Sequence, residues 1–364
     1  MRRRAAAVAT VLALVSVGAL ASAGPASARK APKGFLGVVP QNPINEITRQ
    51  DAERMRRGKV GVVRFPLKWD AVEPIDDLFD FAAFDRLIGN LAAEGIRPFP
   101  TVSGVPPYVD PDPLRLPVDN ATEKAQWREF LRAVINRYGQ GGTYWESVYP
   151  TQHPGARPLP VKAVQVWNEQ NGPKHAHDPD PRRYADLVNI SHTAIASQDP
   201  SIEVLLGGMF GTPTGKGAIK AWTFLKRLYG TAGVKESFDG IALHPYSPDV
   251  KGIKAQIAKM RRTLKKEKDK GTKLWLTEVG WGSKKKGRLG VGKKKQAKLL
   301  KQSFKLLIGK RGKWRIGGVL WYTWRDLPKP QAPCDWCATA GLFNTAGTKA
   351  KASWKQYVKF TGGS

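Results

Sequence analysis

The chain has 364 residues, with 60 Lys and Arg against 30 Asp and Glu, for a formal net charge of +30. That length suits one large α/β domain or two smaller ones, and the charge suggests adhesion to acidic surfaces or polymers through summed electrostatics. It does not point to nucleic acid: the basic runs at 265–270 and 293–295 read as solvated helix ends, no aromatic residues interleave with them as a stacking platform, and no helix-turn-helix or zinc-finger spacing occurs.

The first residues read as a targeting segment. Arg2, Arg3 and Arg4 form a positive end, 5–21 is apolar, and Ala26-Ser27-Ala28 offers a small-residue cleavage site. Residues 1–28 are therefore expected to be a signal peptide and the protein to be secreted. No later segment is long and apolar enough to span a bilayer. Residues 29–34 read as a flexible tail. From 35 onward, continuous apolar runs alternate with amphipathic ones. In chain order, the spacing predicts a strand over 35–39, a helix over 46–57, a strand over 61–66 and a helix over 80–94. A strand over 96–102 follows, then a helix over 122–138, an excursion over 140–160 and a strand over 161–168. The second half gives helix 181–197, strand 203–207, helix 217–229, strand 238–244, helix 252–270, strand 273–277, helix 293–309, strand 316–322 and a last helix over 352–359. Helical spacing shows in Phe130, Val134 and Tyr138, and the strands are continuous enough to be buried on both faces.

Eight such units predict a single (β/α)8 TIM barrel over 35–364. An open doubly wound sheet would want a glycine-rich phosphate turn after its first strand, and 39–43 is not one. Glycine-rich 287–292 has the wrong spacing. The two cysteines, Cys334 and Cys337, read as a loop disulfide in an exported chain, since a zinc site would need two further ligands. His175 and His177 alternate in a loop, which is a weak metal pattern. No metal and no cofactor is expected.

A barrel gathers its chemistry at the C-terminal strand ends. There the sequence offers Arg64 with Trp69 beyond it, Trp167-Asn168-Glu169, His244-Pro245-Tyr246, Glu278 with Trp281, and Trp321, Tyr322 and Trp324. Two carboxylates ringed by hydrogen-bond donors and indoles suit a sugar, whose C–H faces stack on aromatics and whose hydroxyls need polar partners. Two such acids can share acid, base and nucleophile duties on a glycosidic bond.

Asn168-Glu169 closing the fourth strand, Glu278 closing the seventh, Arg64 on the second, His244-x-Tyr246 on the sixth and Trp321 on the eighth resemble glycoside hydrolase clan A, in its cellulase-like, family 5 and family 39 branches. The resemblance covers almost all of the chain after the targeting segment. It implies a retaining enzyme that cleaves β-glycosidic bonds by double displacement, with Glu169 as general acid/base and Glu278 as nucleophile. It further implies that Asn168 binds the sugar 2-hydroxyl, Arg64 and Tyr246 hold and polarise Glu278, His244 lines the same subsite and Trp321 is the stacking floor. Trp69, Trp281, Trp324 and Trp336 are subsite candidates. Proximity of the two acids is expected to raise the pKa of Glu169. Loops 104–118 and 284–292 match no substrate signature, so the sugar stays open. Lys284, Lys285 and Lys286 follow the seventh strand and are expected over the mouth, as a solvated charge run or, on the sharper reading, as an attractor of an anionic oligo- or polysaccharide. Two competing readings are a non-catalytic carbohydrate-binding barrel and a basic adhesion protein.

Overall fold

The computed structural model describes residues 30–364; the expected signal peptide lies outside them. Eight parallel strands close into a barrel in sequence order, β8 pairing back onto β1. They are β1 Leu36–Val39, β2 Val62–Lys68, β3 Arg97–Ser103, β4 Ala163–Asn168, β5 Glu203–Phe210, β6 Gly240–His244, β7 Lys273–Val279 and β8 Ile316–Tyr322. The principal helices outside them are α1 Arg49–Arg57, α2 Ala82–Ala93, α3 Ala121–Tyr138, α4 Pro181–Ala196, α5 Ala221–Leu228, α6 Val250–Lys266, α7 Lys293–Trp314 and α8 Ala352–Thr361. No helix of the described residues is long and apolar enough to cross a membrane.

Local chemistry starts these helices where the sequence changes period. Thr48 and Asp51 form a capping box on α1, Asn120 and Asp249 cap α3 and α6, and Asp180 caps α4 with Pro181 in its first turn. Each satisfies backbone N–H groups that would otherwise lack partners. The helix expected over 46–57 is split, because the chain leaves helical geometry at Ile47 and restarts behind Thr48. Helix α7 runs five residues beyond its expected end and stops at Arg315, a left-handed residue with φ 47°. Residues 30–34, expected as a loose tail, are tied to the barrel: Ala31 donates to the Phe360 carbonyl at 2.9 Å and the Gly34 carbonyl accepts from Arg97 at 2.8 Å.

Alternation along the strands divides the core. In β2, Phe65 faces outward and stacks on Phe84 of α2 at 6.4 Å, while Arg64 points into the barrel. The lower interior is filled by Phe99 and Trp275, whose rings lie 5.7 Å apart. Gly317 and Gly318 make room for that indole, since a side-chain carbon on either would sit 2.6 Å from it. Beneath them a depression of about 650 Å³ opens on the opposite rim. Above them the barrel becomes polar.

Candidate active site

A cleft of about 840 Å³ opens at the C-terminal ends of the strands, and Glu169 and Glu278 both line it. Regular alternation would not present them so. Along β4, Trp167 (φ 65°) and Glu169 (φ 45°) are left-handed, which breaks the pleat and turns Asn168 and Glu169 together into the cleft. Such conformations cost of the order of 1–3 kcal/mol each and concentrate at functional positions. Along β7, the register against β8 slips between Leu276 and Val279. That irregularity lets Thr277 face His244 while the next residue, Glu278, also reaches the mouth, as bulges beside active sites do.

Glu278 is held from two sides. Arg64 Nη1 donates to its Oε1 at 2.8 Å and the Tyr246 hydroxyl donates to its Oε2 at 2.6 Å. Burial and then the Glu278 charge push the Tyr246 phenol far above its ordinary pKa, so it remains a donor. Arg64 is itself buried and fixed by two more bonds, to Asn168 Oδ1 at 2.6 Å and Gln165 Oε1 at 3.1 Å. Glu169 is contacted on both oxygens, by His244 Nδ1 at 2.8 Å and by His175 Nε2 at 3.1 Å. His244 fits because Gly208 lies against it; a side-chain carbon there would stand 2.0 Å from Nε2. One oxygen of each carboxylate and a His244 ring nitrogen lie within 4.8 Å of one another. That trio has the donor types for a divalent cation, but Arg64 and Tyr246 already engage both Glu278 oxygens, and a cation there would face the guanidinium.

Electrostatics differ from the expectation for Glu169. Burial alone would raise its pKa, but the hydrogen bonds and charge of His175 and His244 outweigh it and hold the carboxyl well below the ordinary range. The two imidazoles, rather than the nearby second acid, set the direction. His175 is displaced the other way: burial disfavours its charge, yet Glu169 outweighs burial and raises it.

The structure brings Arg64, Asn168, Glu169, His244, Tyr246 and Glu278 together. It takes four expected tryptophans away. Trp321 is fully buried outside the barrel wall, its indole N–H on the Ala340 carbonyl and its ring against Trp281 and Phe304. Trp281 is buried beside it with its N–H on the Ser247 carbonyl. Trp69 is buried between Trp127 and Phe130 and donates to Glu73. Trp324 packs on Phe343 and Trp354. The aromatic wall is instead Tyr322, one position after Trp321, and Trp336, whose ring lies 5.0 Å from Tyr246 and 5.6 Å from Tyr322. Trp336 sits inside the Cys334–Cys337 disulfide loop. The three lysines expected over the mouth also lie off the cleft: Lys286 pairs with Asp335, and Lys284 and Lys285 pack beside Thr339 and Gly292. Arg288 of the same loop does line it. His175 was not foreseen as a partner of Glu169; its only signal was its place six residues after that acid.

Comparisons with known proteins agree with this fold. The Glyco_hydro_42 (beta-galactosidase) family model matches residues 38–128, a stretch that ends before either acid. No curated protein matches the sequence significantly. Among solved structures, the chain superposes on a family 39 glycoside hydrolase from Bacteroides cellulosilyticus WH2 (TM-score 0.66, 18% identity, 91% of this chain and 64% of that one). It also superposes on a GH39 beta-xylosidase from Caulobacter crescentus (0.64, 20%, 91% and 72%). A third is a xylanase from Thermoanaerobacterium saccharolyticum complexed with xylotetraose (0.57, 18%, 89% and 94%). The chain thus spans just under two thirds of the first of these relatives. It shares the (β/α)8 fold of family 39 and related glycoside hydrolases.

Proposed function

We propose that the protein is a retaining glycosidase that cleaves β-glycosidic bonds of an oligo- or polysaccharide. The observation that carries this is the carboxylate spacing. One oxygen of each carboxylate lies within 4.8 Å of the other, which suits the about 5–5.5 Å separation of a retaining pair better than the about 6.5–9.5 Å that an inverting pair needs for an intervening water. Glu278, pinned by Arg64 and Tyr246, attacks the anomeric carbon. The bond to the leaving sugar breaks as Glu169 gives its oxygen a proton, and a glycosyl ester on Glu278 results. Water then attacks the same carbon, passes a proton to Glu169 and frees Glu278. Asn168, its oxygen occupied by Arg64, offers its amide N–H to the 2-hydroxyl. Trp336 and Tyr322 supply the stacking wall. The test is a panel of activated fluorosugars followed by peptide mass spectrometry. A covalent label on Glu278, with turnover abolished in Glu278→Ala, is expected; labels that never fall on Glu278 would refute the assignment.

Three cations favour an acidic glycan. Lys68 at the end of β2 and Lys174 and Arg288 on two different loops line the cleft and are exposed. None is ion-paired among the described residues, and Glu169 and Glu278 already have cationic or imidazole partners. Replacing all three with Gln should lower turnover of a uronate- or sulfate-bearing glycan and spare a neutral one; equal effects on both count against the reading. We also read the protein as exported, which its Cys334–Cys337 disulfide and its N-terminal pattern support. N-terminal sequencing of material from the culture medium should then begin at Arg29.

A further inference from the structure

We propose that His175 is a positioning residue that holds, in the resting protein, the proton which Glu169 later gives to the leaving sugar. The inference rests on the glycosidase reading of the cleft. A general acid must begin protonated, yet here the carboxyl of Glu169 lies between two imidazoles. One of them has to store the proton. His244 is unsuited, because it is fully buried with one nitrogen on Glu169 and the other 3.1 Å from Thr277 Oγ1. The His175 side chain is 43% exposed and lines the cleft, so it can be recharged from solvent. Its backbone is clamped: its carbonyl accepts from the Trp167 indole at 2.8 Å and its N–H donates to the Gly172 carbonyl at 3.1 Å.

The charged groups facing His175 come from three places. Glu169 at the end of β4 is in contact, Glu278 at the end of β7 adds its negative charge, and Lys174 on its own loop opposes it. The acids prevail over burial and Lys174 and shift the ring toward its imidazolium form. As the glycosidic bond breaks, the proton on Nε2 passes to Glu169 Oε2 and from that carboxyl to the leaving oxygen, which leaves neutral His175. In the second step a proton of the attacking water returns through Glu169 to Nε2. No further reactant is consumed.

The experiment compares wild type with His175→Gln. The alkaline limb of the kcat/KM profile should move about one pH unit or more to lower pH, because Glu169 must then carry the proton itself. At neutral pH the loss should be about 10²-fold for poor, alkyl leaving groups and absent for dinitrophenyl glycosides, which leave without protonation. Fluorosugar labelling of Glu278 at the wild-type rate shows that the variant has folded. An unmoved alkaline limb, or equal losses on both leaving groups, overturns the proposal while wild-type turnover still stands. A wild type that cleaves nothing and is never labelled sinks the glycosidase reading instead. In that case the nitrogen-15 NMR titration of His175, with its pKa expected to fall in Glu169→Gln, still decides whether the pair shares a proton.

Discussion

Arg64→Met tests the electrostatic framework of the site. The methionine fills much of the same space but donates nothing. Arg64 is 4% exposed and makes one bond to a carboxylate and two to side-chain amides. Counting the carboxylate bond at about 1.5–3 kcal/mol and each amide bond at no less than about 0.5–1.5 kcal/mol, the three together give about 2.5–6 kcal/mol. Removing one partner of a buried ion pair costs about 3–5 kcal/mol by independent measure, which agrees. The assay is urea unfolding at pH 7 of wild type, Arg64→Met, Glu278→Gln and the double variant. Arg64→Met should cost about 3–5 kcal/mol alone and about 1.5–3 kcal/mol less in the Glu278→Gln background, where no carboxylate is left unpaired. Equal costs in both backgrounds, or a single-variant cost below about 1 kcal/mol, would show that the guanidinium does not hold the Glu278 charge.

Trp336→Ala should raise KM about tenfold with kcat within about twofold, as loss of a stacking surface removes binding shared by ground and transition states. Trp321→Phe should leave KM unchanged and lower only the unfolding midpoint. Reducing the Cys334–Cys337 bond should scarcely move that midpoint, because so short a loop removes little chain entropy, yet it should raise KM as Trp336 loses its anchor. Asp51 is buried and, against the upward push of burial, is held below its ordinary pKa by Arg325, Thr48 and Trp324. Asp51→Asn should therefore cost about 3–5 kcal/mol at neutral pH, a difference that shrinks as wild type is acidified through the depressed folded pKa. The Glu169–His175 pair has the opposite signs on its two members. The Glu169 contribution is present above about 4.5 and fades on acidification, while that of His175 is present below about 6.5 and fades as pH rises through its raised pKa. His175→Gln should thus destabilise most between those values, and a pH-independent cost measured by thermal unfolding would contradict the pairing.

The barrel was legible because its strands are apolar on both faces and its helices carry their own start signals, such as Thr48 with Asp51 and Asp180 with Pro181. Glu169 and Glu278 were legible as acids terminating apolar runs. The aromatic wall was legible only in Trp336, one of the subsite candidates. Residues 321, 322 and 324 are all aromatic, and a slip of one position moves a side chain from cleft to outer core, so the resemblance set Trp321 where Tyr322 stands. Trp336 lies fourteen residues beyond β8 and reaches the cleft only through a folded-back loop. His175 likewise follows the strand end through a turn whose course no periodicity records. The resting charge of Glu169 escaped for the same reason: its sign depends on His175, and a carboxylate neighbour alone would have pushed it the other way.

The stopper formed by Phe99 and Trp275 makes the cleft a blind alley. On the proposed glycosidase reading, substrate and product therefore share the C-terminal rim, and a sugar still held there covers ground that the next substrate has to reach.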